Sequence, residues 1–173
     1  MLGQQGIDLV FLRSMTGNIA RSRNGCMEMI RQNESPKIFM IWFDSDILIF
    51  PEQSTFDALS QMLQKALMER DAIVCCDYKT ADNQYQMREW RTLGRENKPA
   101  YRKDTRKRFT DTFTDFKTGG ASGLGLSMGY FPKDYIFHSD WLGEDIYFWN
   151  DNKDIRLIRY NHFVPKHVKE LEV

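Results

Sequence analysis

Hydrophobic residues occur in short continuous runs along the chain, separated by segments in which apolar positions recur every three or four residues. The run at residues 37–43, Lys-Ile-Phe-Met-Ile-Trp-Phe, is rich in residues that favour strands and predicts a central strand covered on both faces. Residues 71–76 and 126–131 predict further buried strands. Residues 7–12 and 155–160 predict two more.

Helices are predicted between these strands. A turn at residues 16–18, Thr-Gly-Asn, can cap a helix over about residues 19–32, and a short helix is expected at about residues 144–149. A third helix follows Pro51 and is amphipathic. Its predicted apolar face consists of Phe56, Leu59, Met62, Leu63, Ala66 and Leu67. Alternation of strands and helices through short connections predicts an α/β fold, with a mainly parallel sheet flanked by helices.

A length of 173 residues suits one domain with a substantial core, so we expect residues 1–173 to form a single domain. Hydrophobic residues make up 42% of the chain and charged residues 28%, which is typical of a globular protein rather than a disordered one. The alternation is interrupted at about residues 79–114 by a long, polar and basic segment. Such an insert is usually either functional or disordered.

Twenty-four basic residues balance twenty-four acidic ones, so no net charge attracts the chain to nucleic acid or to an anionic membrane. The three cysteines show no Cys-x-x-Cys spacing and the chain begins without a signal-peptide pattern, which predicts a reducing, cytoplasmic location. The longest apolar stretch, residues 38–50, contains two aspartates and is shorter than the roughly 20 residues of a membrane-spanning helix. We therefore expect no transmembrane segment.

Two aspartates in the sequence Asp44-Ser45-Asp46 follow the predicted strand at residues 37–43 directly. The carboxyl ends of strands are where α/β sheets bind ligands, and carboxylates there need partners. A hard divalent cation with oxygen ligands is one such partner, and it can bridge phosphate oxygens of a nucleotide. The alternative is structural: Asp44 caps a turn and Asp46 is solvated.

Adjacent acids also occur in Gly143-Glu144-Asp145, at the start of a predicted helix whose remainder is aromatic. Acids in the first turn of a helix are favoured by its dipole, so capping explains them. Alternatively, one carboxylate deprotonates a hydroxyl group during catalysis. Local sequence leaves both roles open.

Three histidines are present, His138, His162 and His167, and a surface position is the commoner outcome for any one of them. His167 follows the last predicted strand and could return to the sheet edge where Asp46 lies. The glycine-rich residues 118–125 lack the pattern of a phosphate-binding loop, and no Gly-x-Gly-x-x-Gly follows the first strand.

The order of these motifs resembles that of the large family-2 type of glycosyltransferases with the GT-A fold, over residues 7–78 and 115–168. Residues 17–24, Gly-Asn-Ile-Ala-Arg-Ser-Arg-Asn, are similar to the family's helix opening, and Asp44-Ser45-Asp46 falls where its Asp-x-Asp motif lies. Residues 123–128 are similar to the strand that lines the family's acceptor site. Gly143-Glu144-Asp145 resembles its Glu-Asp motif, and the run to His167 resembles its approach to a metal-binding histidine.

The resemblance implies metal-dependent transfer of a sugar, with inversion, from a nucleoside-diphosphate sugar to a hydroxyl of a carbohydrate or glycoconjugate acceptor. It implies that Asp145 is the general base and that Asp44, Asp46 and His167 bind Mn or Mg. The substrate-binding residues that it implies are Arg21, Asn24, Asp44, Gly123 and Glu144.

The chain departs from the family pattern in two places. The family normally begins with a strand and loop that carry an acidic residue for the nucleotide base, whereas residues 1–6, Met-Leu-Gly-Gln-Gln-Gly, contain none. The basic insert at about residues 79–114 has no counterpart in the family.

Two other classes of protein remain open. Phosphatases with an aspartate nucleophile also place Asp-x-Asp after a buried strand, although they usually carry Thr or Val where this chain has Leu48. The basic and aromatic residues 101–109 could form a nucleic-acid-binding surface. Because such a run is more often a solvated loop, nucleic acid is not the expected partner.

Overall fold

The computed structural model describes residues 18–32, 36–77, 90–91, 100–101, 111–116, 124–138 and 144–167. Its helices are α1 (Ile19–Ile30), α2 (Gln53–Met68) and α3 (Glu144–Asp151). Its strands are β1 (Lys37–Phe43), β2 (Ile47–Leu48), β3 (Ala72–Cys76), β4 (Trp90–Arg91), β5 (Ala100–Tyr101), β6 (Phe113–Phe116), β7 (Leu126–Pro132), β8 (Arg156–Tyr160) and β9 (Lys166–His167).

Five strands form an open sheet in the order β1-β7-β3-β8-β6. Strand β7 is antiparallel to both β1 and β3, β3 is parallel to β8, and β6 is antiparallel to β8. The sheet is therefore mixed, and the expectation of a mainly parallel sheet is wrong. A continuous apolar run indicates that a strand is covered on both faces, but it carries no information on direction.

Strand direction determines what meets at each end of the sheet. Since β7 is antiparallel to both of its neighbours, β1 and β3 point the same way, and β8 points with β3. The residues that follow these three strands, Asp44, Asp77 and Asn161, therefore lie along one side, which we call the carboxyl edge. The opposite side, where β3 and β8 begin, is the amino edge.

Helices cover both faces of the sheet, as the α/β prediction required. On one face α1 and α3 pack against Trp42 of β1, Ile73 of β3 and Leu157 of β8. On the other face α2 packs against Val74 and Ile158. Successive residues of β3 and β8 thus contribute to opposite cores, as the two-residue period of a strand requires.

The buried face of α2 differs from the predicted one. Met62 and Ala66 are buried as predicted, but Phe56 is 56% exposed and Leu67 is 39% exposed. The small residue Ala58 is buried instead. Leu59 and Leu63 pack partly buried against the same core, so the buried stripe is the predicted one turned towards Ala58 and away from Phe56 and Leu67.

Other predicted elements have mixed outcomes. The predicted strand at residues 37–43 and the start of the first helix are confirmed, while the predicted strand at residues 7–12 lies outside the described residues. Strands β4 and β5 lie within the basic insert at about residues 79–114, and strand β6 begins at its end. Within the described part of the chain, no helix has the length and apolar character needed to cross a membrane.

Candidate functional site

The chain turns sharply after β1, at Asp44-Ser45-Asp46. The backbone N–H of Asp44 donates to the carbonyl of Gly125 at 2.8 Å, and that of Ile47 donates to the carbonyl of Asp44 at 3.1 Å. These bonds fix the turn between the start of β7 and the short strand β2. The two aspartates therefore lie at the carboxyl edge of the sheet, as the sequence predicted.

Arg23 of α1 connects this turn to the start of α3. Its side chain is only 3% exposed, and its Nη2 atom lies 3.1 Å from both carboxylate oxygens of Asp44. The same nitrogen lies 3.4 Å from Oε1 of Glu144. The Asp-x-Asp and Glu-Asp motifs, which are 100 residues apart between Asp44 and Glu144, thus meet around one guanidinium group.

Two aromatic rings pack against the Arg23 guanidinium. Its Cζ atom lies 5.3 Å from the ring centre of Trp42 and 5.7 Å from that of Phe137. Among the described residues, the Nε and Nη1 atoms of Arg23 have no hydrogen-bond partner. Attraction between the cation and the rings offsets part of the cost of burying these groups. Arg23, Asp44 and Glu144 together carry a formal charge of −1. Asp46 and Asp145 add further negative charge.

Helix α3 begins with Glu144 and Asp145, both half-buried. Carboxylates in this position are favoured by the helix dipole. Glu144 has in addition the ion pair with Arg23, so helix capping alone does not describe its environment. Asp145 lies beside it in the same first turn.

The end of the described chain returns to the Asp-x-Asp turn. Strand β9 pairs antiparallel with β2, and His167 lies opposite Ile47, the residue that follows Asp46. The backbone of His167 is therefore where the sequence argument expected it, while its side chain is outside the described part. Among the described side chains no group of three or more His, Cys, Asp or Glu is arranged to hold a metal ion.

The remaining predicted site residues have different surroundings. Arg21 is exposed and lines a cavity of about 190 Å³ together with Asn18, Asn24 and Phe137. The Asn24 amide donates to the carbonyl of Phe137 at 2.9 Å and accepts from its N–H at 2.7 Å, which ties α1 to residues 133–138. Gly123 lies outside the described residues.

Neither Arg23, which lies at the site, nor Asp77, which lies at the same edge of the sheet, was assigned a role from the sequence. Arg23 shares the buried face of α1 with Ala20 and Met27, at spacings of three and four residues. A charged residue on an apolar helix face signals a buried counter-ion, and that signal was available. Asp77 is only 3% exposed and follows β3 directly, in the same arrangement as Asp44 after β1.

The adjacent thiols of β3 do not extend this chemistry. Cys75 and Cys76 are fully buried, and burial raises the pKa of both thiols, with the negative charge of Asp77 adding to the effect. The thiolate is the nucleophilic form of cysteine. These two residues are therefore part of the core and not of a reactive site.

Comparison of the chain with protein-family models, with curated proteins and with solved structures found no match.

Proposed function

We propose that this chain is a metal-dependent glycosyltransferase with a GT-A-like fold, which moves a sugar from a nucleoside-diphosphate sugar to a hydroxyl of a carbohydrate or glycoconjugate. The observation that carries the proposal is the meeting of Asp44 and Glu144 around Arg23 at the carboxyl edge of the sheet. Ligands of open α/β sheets bind at this edge. The two motifs that the proposed chemistry needs are thereby neighbours.

The donor side of the proposed site is the Asp-x-Asp turn. Asp46 is the main proposed metal ligand, helped by Asp44, whose carboxylate Arg23 already holds in place. His167 is the proposed third ligand because its backbone lies opposite Ile47. Carboxylate oxygens suit Mn or Mg, and the formal charge around Arg23 remains negative after the arginine is counted. A bound metal would stabilise the negative charge that develops on the leaving nucleoside diphosphate.

The acceptor side of the proposed site is the first turn of α3. Glu144 is paired with Arg23, so the neighbouring Asp145 is the better candidate for the general base that removes the proton of the acceptor hydroxyl. Direct attack by that hydroxyl on the sugar carbon would invert the configuration.

Turnover of a panel of nucleotide-sugars, with and without Mn or Mg, tests the proposal. We expect metal-dependent transfer, and we expect Asp145→Asn to lower kcat by roughly 10² to 10⁴-fold, the usual contribution of a general base. Asp151→Asn, at the other end of the same helix, is the matched control and should retain activity. An Asp145→Asn variant that transfers sugar at the wild-type rate would refute the assignment of the base.

Binding of the donor can be tested without turnover. A nucleoside diphosphate together with Mn should raise the melting temperature of the wild-type chain, because a ligand that binds only the folded state stabilises it. Asp46→Asn should abolish most of that shift. Absence of any shift for all nucleoside diphosphates tested would contradict a nucleotide-sugar site.

The phosphatase alternative would require Asp44 as its nucleophile. Both carboxylate oxygens of Asp44 lie 3.1 Å from Nη2 of Arg23, a geometry that suits an anchored residue better than an attacking one. Labelling of Asp44 by a phosphoryl mimic would restore that alternative.

A further inference from the structure

We propose that Arg23 is a positioning residue, which holds the Asp-x-Asp turn and the first turn of α3 in a single arrangement, with Asp46 placed for the donor and Asp145 placed for the acceptor. This inference rests on the proposed function, which it deepens by adding a residue that links the two halves of the site. Arg23 itself contacts neither substrate in this scheme.

Asp44 and Glu144 share one nitrogen of Arg23. Asp44 and Glu144 belong to elements far apart in sequence, and both contact Nη2 of Arg23 rather than two different nitrogens. A movement of Arg23 that lengthens one contact therefore alters the other. The turn after β1 and the start of α3 cannot adjust independently as long as this nitrogen lies between them.

The guanidinium of Arg23 is restricted in position by its neighbours. The Cζ atom of Arg23 lies 5.3 Å from the ring centre of Trp42 and 5.7 Å from that of Phe137, and Arg23 is 3% exposed. Asn24, the next residue of α1, is bonded in both directions to the backbone of Phe137. The helix that carries Arg23 and one of the rings that pack against it are thus fixed to each other.

The guanidinium of Arg23 is incompletely paired among the described residues. Within the described part of the chain, its Nε and Nη1 atoms have no hydrogen-bond partner. A buried ion pair with unsatisfied N–H groups is weak evidence for a contribution to stability, and fixing one specific arrangement is the better-supported use of such a pair. Local departures from good packing are expected mainly at functional sites.

Each anchored carboxylate is close in sequence to a residue of the proposed site. Asp44 is separated from Asp46 by a single residue, and Glu144 directly precedes Asp145. Holding Asp44 and Glu144 therefore fixes the backbone that carries Asp46 and Asp145. Small displacements of reacting groups have large effects on catalytic rate, so anchoring of this kind would act on kcat.

Arg23→Lys tests the inference, because lysine keeps the charge but lacks the planar fork of nitrogens. We expect a folded protein, by circular dichroism, whose kcat is at least tenfold lower and whose KM for the donor rises as well, because the turn that Arg23 holds carries the proposed donor ligands. Arg156→Lys is the matched control, since Arg156 also contacts several carboxylates but lies at the amino edge. An Arg23→Lys variant with the kcat of the wild type would overturn the inference.

Hydrogen exchange provides a second test that needs no ligand and no turnover. Glu144→Gln removes the charge at the α3 end of the link, so the backbone amides of Asp44 and Ile47 should exchange at least fivefold faster, although they belong to a different element. Arg156→Lys should leave those amides unchanged. Unchanged exchange at Asp44 and Ile47 in Glu144→Gln would overturn the positioning role.

The two proposals fail in different ways. If the wild-type chain transfers no sugar from any donor, the proposed function fails and the exchange experiment still decides whether Arg23 links the two motifs. If the wild-type chain is active but Arg23→Lys is equally active, the function stands and the positioning role fails.

Discussion

Two arginines at opposite edges of the sheet each contact carboxylates from different elements, but in different environments. Arg23 at the carboxyl edge is 3% exposed and shares one nitrogen between Asp44 and Glu144. Arg156 at the amino edge is 42% exposed and contacts Glu69 at 3.1 Å, Asp71 at 3.5 Å and Asp115 at 2.9 Å. The exposed arginine has the more numerous partners, and the buried one has the less complete pairing.

The difference indicates what each arginine contributes. Hydrogen bonding to Asp115 raises the pKa of Arg156, and hydrogen bonds from Lys65 and then Arg156 lower the pKa of Glu69. Charges exposed to water interact weakly and are screened by salt. Arg156 therefore links the ends of α2 and β3 to β6 and β8 with only a small contribution to the free energy of unfolding. Arg23 is buried between two carboxylates, where a change on either side has a large effect.

Removal of each arginine should give the largest contrast between the two edges. Arg23→Met leaves Asp44 and Glu144 without their buried cation and should lower the free energy of unfolding by about 3 to 5 kcal/mol. Arg156→Met removes exposed pairs and should lower it by about 1 kcal/mol or less. Urea unfolding of both variants measures the difference. Equal losses would mean that burial does not distinguish the two clusters.

Gly129 lies in the middle of β7, away from both arginines. A substitution there shows how much stability is lost through packing alone. A Cβ atom at this position would lie 2.7 Å from the carbonyl oxygen of Ala72 and 3.0 Å from Cα of Ile73. We expect Gly129→Ala to lower the free energy of unfolding by about 1 to 3 kcal/mol, as overpacking usually does.

The adjacent variant Met128→Leu, which conserves volume, is the control for Gly129→Ala and should cost less than about 1.5 kcal/mol. Both losses can be read from urea unfolding. If Gly129→Ala were as stable as the wild type, β7 and β3 would have to be further apart than the structure has them.

Local pattern predicted most of the elements but not their arrangement. The apolar run at residues 37–43 predicted β1 to the residue, and Asn18 caps α1 as expected, accepting a hydrogen bond from the N–H of Arg21 at 2.9 Å. The position of β7 between β1 and β3 depends on contacts between residues distant in sequence. The periodicity of hydrophobic residues does not predict such contacts. The sheet therefore proved to be mixed.

The candidate site shows the same division. The position of Asp44 after a buried strand was predictable, because that pattern is local. The pairing of Asp44 with Arg23 and Glu144 depends on how α1 and α3 pack on the same face of the sheet. The resemblance implied a role for Arg21 and none for Arg23, whereas the helical spacing of Ala20, Arg23 and Met27 indicates that Arg23 is the arginine that faces the core.

Acid should weaken the amino edge through Glu69. Its pKa is lowered from an ordinary value of 4.5, so its contribution to stability is complete above about pH 4.5 and is lost as the pH falls through the lower value in the folded state. The variant Glu69→Gln should therefore show a smaller loss of stability between neutral and acid pH than the wild type. Urea unfolding over that pH range measures it, and identical pH profiles would contradict the assignment to Glu69.

Salt should have the smallest effect on stability, and this effect should again differ between the two arginines. Raising the ionic strength from about 0.1 M to about 1 M shortens the screening length from about 10 Å to about 3 Å for exposed charges, but buried pairs are screened much less. The stability difference between the wild type and Arg156→Met should therefore shrink in high salt, while that between the wild type and Arg23→Met should persist. If both differences shrank in parallel, Arg23 and its carboxylate partners would have to be accessible to water and ions. Packing of Trp42 and Phe137 against Arg23 would then not explain how Arg23 holds the two motifs together.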